Sequence, residues 1–463
     1  MKSIYFVGIG GIGMSALARY FLHQGHRVGG YDRTSSDLTR ALEAEGAAVH
    51  YEDSVAMIGE EFLQREQTVV IYTPAIPADH SELNYFRANG FEVLKRSQML
   101  GVLTEGKFVM AVAGTHGKSS TSTLLAWMNS EAEGQGCAIL GAISKNFGSN
   151  LVLGSGDRVV VEADEFDRSF LRLKPDTAVI TSADADHLDI YGTHEAVKEA
   201  FAQFVELIKP GGSLIIKEGV DVEIRNEAID MWRYSYDTPC DFYVSRAELL
   251  DGGEGRYSFD IVTPDGVIEG CELGVLGWVN IENCVAATAS MWCAARREGR
   301  ALDHDAMRRA MRSFVGLKRR FELYHSSPNN LYMDDYAHHP REISATLSSL
   351  REMLPTREIT AIFQPHLFSR TNDLYREFGE ALSAADRVIL LPIYPAREEP
   401  MEGVTSQLIA DCVECSEVIE VADKERIAEY IESIETDVVV SFGAGDIELQ
   451  CEAIATAVQA KEL

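Results

Sequence analysis

Short apolar runs alternate with amphipathic helical stretches along nearly the whole chain. Residues 4–7 form a buried-strand run, after which Met14, Leu17, Ala18, Phe21 and Leu22 recur on one helical face, predicting a strand, a turn and a helix. Residues 69–72 read as a further strand. A fresh strand, turn and helix begin at 107–113, after the segment 94–104, so a first boundary is expected near Glu105. Strand runs at 158–161, 177–181 and 213–216, with a helix over 193–208 between the last two, predict parallel α/β structure. Residues 221–276 change character, because Gly252-Gly253 and Pro264-Asp265-Gly266 separate short alternating runs, as in a small antiparallel insertion. Strand runs at 358–363, 387–391 and 437–442 repeat the α/β pattern, and Ser326-Ser327-Pro328-Asn329-Asn330 places a second boundary between Phe321 and Asn330.

Composition narrows the partners. The chain has 463 residues, 46% of them hydrophobic and 25% charged, too many for one core and too apolar for general disorder. Lys plus Arg number 42 and Asp plus Glu 72, a net charge of −30 that argues against binding nucleic acid or an anionic membrane. No apolar stretch is long enough to span a bilayer. Of the 8 cysteines only Cys412 and Cys415 are close, without a second pair or nearby His to complete a zinc site, which fits reduced thiols in a cytoplasmic protein. Lys2, an apolar run and Ser15-Ala16-Leu17-Ala18 loosely imitate a signal peptide, but Gly8, Gly10, Gly11 and Gly13 fit a folded phosphate-binding turn better.

Four motifs carry chemistry. Gly8-Ile9-Gly10-Gly11-Ile12-Gly13 has the G-x-G-x-x-G spacing between a strand and a helix, where backbone amides receive a pyrophosphate. Asp32, at the end of the next strand, is placed to bind a ribose hydroxyl, and on this motif alone a nicotinamide or flavin is the default ligand. Gly114-Thr115-His116-Gly117-Lys118-Ser119-Ser120 resembles a P-loop, with Lys118 for the outer phosphates and the Ser119 hydroxyl for Mg²⁺, although Val112 takes the place of the distal glycine. Glu162-Ala163-Asp164-Glu165 and Asp184-Ala185-Asp186-His187 end strands and are placed to meet those phosphates around a cation. Finally, Asp334-Asp335-Tyr336-Ala337-His338-His339-Pro340 and Gln364-Pro365-His366 with Ser369-Arg370-Thr371 follow apolar strands, where a substrate pocket is favoured over a mononuclear metal site.

Together with Arg319-Arg320-Phe321, these motifs, in this order over the whole chain, resemble the Mur ligases, and within them the alanine-adding branch. The resemblance implies three α/β domains. They are an N-terminal Rossmann-like domain (1–105) for a UDP-sugar, a central P-loop ATPase-like domain with a mostly parallel sheet and a small antiparallel appendage (106–324), and a C-terminal Rossmann-like domain (325–463). It implies an ATP-dependent ligase that joins L-alanine to the carboxylate of UDP-N-acetylmuramate, with a ligase adding a preformed tripeptide to the same UDP-sugar as the alternative. Nicotinamide then drops out: Gly10, Gly11, Ile12, Gly13 and Met14 would face the UDP-sugar pyrophosphate, and Thr73 and Ala75 would line its pocket. ATP would meet Lys118, Ser119, Asn280, Asn283, Arg320 and Asp335, and Mg²⁺ would meet Ser119, Glu162 and His187. Tyr336, His339, His366 and Arg370 would form the amino-acid side, with His339 or His366 as base. A monomer or homodimer is expected. Val279 stands where many relatives carry His, and no carbamylated lysine is expected, which leaves Lys198 a solvated helix residue.

Overall fold

The computed structural model describes residues 2–134, 136–185, 188–250, 256–396, 398–415, 417–420 and 423–462. These form two compact units, Met1–Val244 with Ile261–Ile268 and Asn283–Met311, and Ser245–Asp260 with Glu269–Glu282 and Arg312–Leu463. The architecture is three-domain α/β, one sheet to each domain.

The first sheet contains β1 (Ser3–Val7), β2 (Arg27–Tyr31), β3 (Ala48–His50), β4 (Thr68–Tyr72) and β5 (Glu92–Lys95), in the order β3-β2-β1-β4-β5. All its pairings are parallel. Because Val7 lies level with both Tyr31 and Tyr72, Gly8, Asp32 and Thr73 leave the sheet at one edge, where the strand order reverses. Alternation along β1 divides the core: Ile4 and Phe6 face the helix Ile12–His23, while Tyr5 and Val7 pack with Tyr31, Phe62 and Phe86. The Ile4 face is completed by Ile139 and Leu151 from the second sheet. The stretch that imitates a signal peptide is thus β1, a turn and a helix with Met14, Leu17 and Phe21 buried.

The second sheet has 10 strands in the order β15-β14-β13-β12-β11-β10-β6-β9-β7-β8. They are β6 (Phe108–Ala113), β7 (Cys137–Ser144), β8 (Ser149–Val152), β9 (Arg158–Glu162), β10 (Thr177–Ile180), β11 (Ser213–Lys217), β12 (Asp230–Ser235), β13 (Phe242–Leu249), β14 (Tyr257–Thr263) and β15 (Gly266–Glu272). Central β6 pairs in parallel with β9 and β10, which sets Glu162 and Thr181 on either side of the turn after Ala113. The helix expected over 193–208 spans His194–Glu206, with Thr193 as its cap. One expectation is corrected: β12 and β13, in the stretch read as antiparallel, extend the sheet in parallel from β11. Both strands carry runs of exposed and half-buried positions in place of the continuous apolar stretch of an interior parallel strand, so their sequence does not announce a parallel pairing. β14 and β15 are neighbours joined by the two-residue connection Pro264-Asp265, a length that fits an antiparallel hairpin and is too short for a parallel crossover.

The third sheet is β16 (Glu322–Ser326), β17 (Leu331–Asp335), β18 (Ile359–Phe363), β19 (Arg387–Leu390), β20 (Glu417–Glu420) and β21 (Val438–Phe442), in the order β16-β17-β21-β18-β19-β20. Only β16 is antiparallel. Asp335, Phe363 and Phe442 share one register, so Tyr336, Gln364 and Gly443 emerge together. No helix among the described residues is long and apolar enough to cross a membrane, and no disulfide joins the cysteines.

Candidate active site

At the edge of the first sheet the glycine turn is shaped by contacts that leave no room for a side chain. Gly8 has φ +89°, and a Cβ there would lie 2.6 Å from Thr73 Cγ2; on Gly10 it would lie 2.8 Å from Asp32 Oδ2. Gly10 N–H donates to that oxygen at 2.7 Å, and Thr34 N–H donates to Oδ1 at 3.3 Å, so Asp32 braces the turn. Gly11 and Ala75 are exposed, Ile12 and Thr73 half-buried, and the Met14 side chain is sealed in the core, leaving its backbone as the part able to meet a ligand. Below the turn, Glu82 is buried: Tyr5 O–H donates to its Oε2 at 2.6 Å, Ser54 N–H donates to Oε1 at 3.2 Å, and His50 Nε2 stands 3.4 Å away. Burial pushes the Glu82 carboxyl up to about 7.

The second turn brings its expected residues together. Gly114 (φ +136°) would place a Cβ 2.0 Å from Thr181 Oγ1, and Gly117 has φ +77°. Thr181 Oγ1 donates to the carbonyls of Ala113 and His116, while Ser182 Oγ accepts from His116 N–H at 2.8 Å and shares a hydrogen bond with Thr115 Oγ1 at 2.9 Å. The loop is thus tied to the end of β10. Lys118, which opens the helix Lys118–Glu133, donates to Glu165 Oε1 at 2.9 Å. Burial alone would lower the Lys118 pKa, but Glu165, Asp164 and Glu162 outweigh it and hold the ammonium above its ordinary range. Glu162 is a hub: Ser119 Oγ donates to Oε1 at 3.1 Å, while Ser122 Oγ at 3.4 Å and Gly141 N–H at 3.0 Å donate to Oε2. Ser120 is half-buried beside them, and Asn283 Oδ1 accepts from Thr121 Oγ1 at 3.0 Å.

Glu162 and Ser119 are hard oxygen donors, as Mg²⁺ requires. No group of three or more His, Cys, Asp and Glu able to hold a metal occurs among the described residues, so a cation here would complete its shell with phosphate and water. His187 lies outside the described residues.

The second unit gathers the other motif residues. Tyr336 lies under two guanidinium groups, Arg319 and Arg320, each 5.0 Å from its ring centroid. Arg319 anchors this corner by donating to Asp334 Oδ2 at 3.0 Å and to the Gly443 carbonyl at 2.6 Å, and Arg320 reaches Glu342 at 3.8 Å. Burial pushes the Asp335 carboxyl up to about 6, while Thr346 O–H, donating at 2.6 Å, and Arg320 favour its charged form. His339 caps the helix Pro340–Met353: its Nδ1 accepts from Arg341 N–H at 3.3 Å, and its own N–H donates to Glu342 at 3.2 Å. His366 stacks on Tyr394 at 5.7 Å and meets His338 edge-on at 6.2 Å. Arg370 is half-buried in the first turn of the helix Phe368–Leu382. Asn280, buried, donates to the Leu276 carbonyl at 2.8 Å.

Sequence reading did not single out Arg96, Glu82, Glu342 or Tyr394. Glu342 had a usable signal, since His339-Pro340 followed by an acid at the third helical position is a capping box. The others come from segments with no motif of their own.

Comparison with known proteins agrees along the whole length. The Mur ligase family, catalytic domain, matches residues 3–108, the Mur ligase middle domain 112–291, and the Mur ligase, glutamate ligase domain, 319–445. The chain is 47% identical over 456 residues to the UDP-N-acetylmuramate–L-alanine ligase of Parabacteroides distasonis, covering 98% of this chain and 96% of that one. It is 44% identical over 452 residues to the enzyme of the same name from Cytophaga hutchinsonii, covering 97% and 95%. The solved UDP-N-acetylmuramate-alanine ligase of Thermotoga maritima superposes with a TM-score of 0.81 at 25% identity over 100% of both chains. A murein peptide ligase from Psychrobacter arcticus shares the fold, with a TM-score of 0.66 at 23% identity over 99% of each. Matched in order by all three of its segments and alike from end to end to relatives near half identity, the chain belongs to the Mur ligase family.

Proposed function

We propose that this chain is an ATP-dependent ligase that joins L-alanine to the carboxylate of UDP-N-acetylmuramate, releasing ADP and phosphate, in peptidoglycan precursor synthesis. The observation that carries the choice of amino acid is the near-full-length identity of 47% to an enzyme named for that reaction. A tripeptide-adding enzyme is less favoured, because the murein peptide ligase neighbour shares the fold alone.

The chemistry needs two anions to meet. The sugar carboxylate attacks the γ-phosphorus of ATP, the bond to the bridging oxygen breaks, and an acyl phosphate and ADP form. The amine of L-alanine then attacks the acyl carbon, phosphate leaves with the carbon–oxygen bond, and the amine proton passes to a base. Lys118, held by carboxylates that keep it protonated, neutralises the phosphates. Ser119 and Glu162, with His187, are the residues we assign to Mg²⁺, which when bound supplies charge neutralisation at the phosphates. In the second unit the assignment gives Arg320 and Asp335 to ATP, and Tyr336, Arg370 and one of His339 and His366 to the amino acid. His339 is bound to the helix it caps and His366 is stacked on Tyr394, and the base is one of these two.

Phosphate release by the purified chain, with UDP-N-acetylmuramate and either L-alanine or the tripeptide limiting, tests the reading. Release with L-alanine is expected; release with the tripeptide only would replace it with the alternative.

A further inference from the structure

The last glycine of the first turn is small because a cation occupies the space beside it. A Cβ on Gly13 would fall 2.3 Å from Arg96 Nη1 and 3.2 Å from Arg96 Cζ, so the guanidinium lies against the backbone of the turn. Arg96 opens the helix Arg96–Leu103, and its Nη2 donates to Asp164 Oδ2 at 3.0 Å. Asp164 sits between Glu162, which holds Ser119, and Glu165, which holds Lys118. The preceding residue, Lys95, donates to Asp167 Oδ2 at 2.8 Å. Asp167 and Arg168 are consecutive non-glycine residues in the left-handed region, φ 52° and 54°, so the segment needs such anchors to hold its shape. The helix is seated directly on this segment, since a Cβ on Gly101 would lie 2.8 Å from the Arg172 carbonyl.

Resting on the function proposed above, we infer that Arg96 is the specificity-determining residue for the pyrophosphate of the sugar nucleotide. Its Nη1 edge reads the phosphates on the glycine turn while Nη2 stays on Asp164. Backbone amides at a helix N-terminus offer only partial charge, whereas a guanidinium adds a full charge and a planar fork suited to phosphate oxygens.

The test is the binding of UDP and UMP to the full-length protein by calorimetry, with steady-state kinetics alongside. Arg96→Ala is expected to weaken UDP about 10- to 100-fold with UMP changed less than about twofold, because the lost contact is a charge-assisted one to the second phosphate. Arg96→Lys should recover part of the loss by restoring charge without the fork. Gly13→Ala, which keeps the arginine but displaces it, should reproduce the loss. The KM for UDP-N-acetylmuramate should rise by the same factor while that for ATP stays within about twofold. An unchanged UDP-to-UMP ratio in both Arg96 variants overturns the inference, as does an ATP KM that rises in step, the mark of a purely structural role. Wild-type protein that turns over neither UDP-N-acetylmuramate with L-alanine nor with the tripeptide removes the functional reading, and this inference with it.

Discussion

The two glycine turns of the first unit follow the same strand-turn-helix plan and draw their charge from different places. After β6, the cation is part of the turn: Lys118 follows Gly117 directly and is balanced at 2.9 Å by Glu165. After β1, the turn carries no cation of its own, its nearest internal partner is the Asp32 carboxylate, and the guanidinium that touches it arrives with a later helix. The first design holds a charged ammonium within the loop itself. The second keeps its turn neutral by itself and receives its cation only through the seating of a neighbouring element.

Removing the built-in cation should have the largest effect. Lys118→Ala is expected to lower turnover about 10³-fold and to cost about 3–5 kcal/mol of stability, since Glu165 would be left charged and buried without its ammonium. Phosphate release and urea unfolding read the two losses, and a variant that keeps its activity would end the contrast. Next is Gly114→Ala, where φ +136° and the nearby Thr181 hydroxyl leave no room; about 2–3 kcal/mol is expected in the same unfolding assay.

The buried acid under the first turn gives a smaller, pH-dependent effect. Glu82 is raised from 4.5 to about 7, so the fold favours its neutral form; its contribution is complete below pH 4.5 and is lost as the pH rises through about 7. Lys118 is raised above 10.5, so its contribution persists up to that pH and is lost only beyond it. The groups facing Glu82 are Tyr5 on β1, His50 on β3 and Asp53 in the adjoining loop, with His80 at 3.3 Å from Asp53. Burial lowers both His50 and His80, which weakens the fold at acid pH and opposes Glu82. The difference between wild type and Glu82→Gln isolates the carboxyl: wild type should lose about 2 kcal/mol more between pH 4.5 and 7. Equal slopes would place the carboxyl outside the linkage. Smallest of all is Gly11→Ala, at φ −63° with nothing closer than 3.7 Å, expected within about 0.5 kcal/mol of wild type.

The same contrast explains what could be read in advance. Lys118, Ser119 and Glu162 were legible because a P-loop and a strand-end acid are local patterns, and parallel pairing with β9 delivers Glu162 without further information. Arg96 was not, because nothing within its own segment marks it; only the seating of its helix on Phe166–Arg172 brings it to Gly13. The strands of the third sheet were visible as apolar runs, yet the work of Arg319 in tying Asp334 to the Gly443 carbonyl depends on tertiary proximity. The misread pairing of β12 and β13 has the same root. The polarity of a strand reports how far it is covered and not the direction of its neighbour.

The core of the first sheet borrows Ile139 and Leu151, and Asn150 donates to the Ile12 carbonyl at 2.6 Å and Ser15 Oγ at 3.0 Å while accepting from Arg19 at 2.6 Å. A fragment cut near Glu105 would therefore carry an open apolar face and an untethered helix at the glycine turn. Inhibitor screens on such a truncated piece would sample a surface that the intact enzyme never presents, so compounds aimed at the first glycine turn belong in assays with the whole first unit, residues 1–244, 261–268 and 283–311, in place.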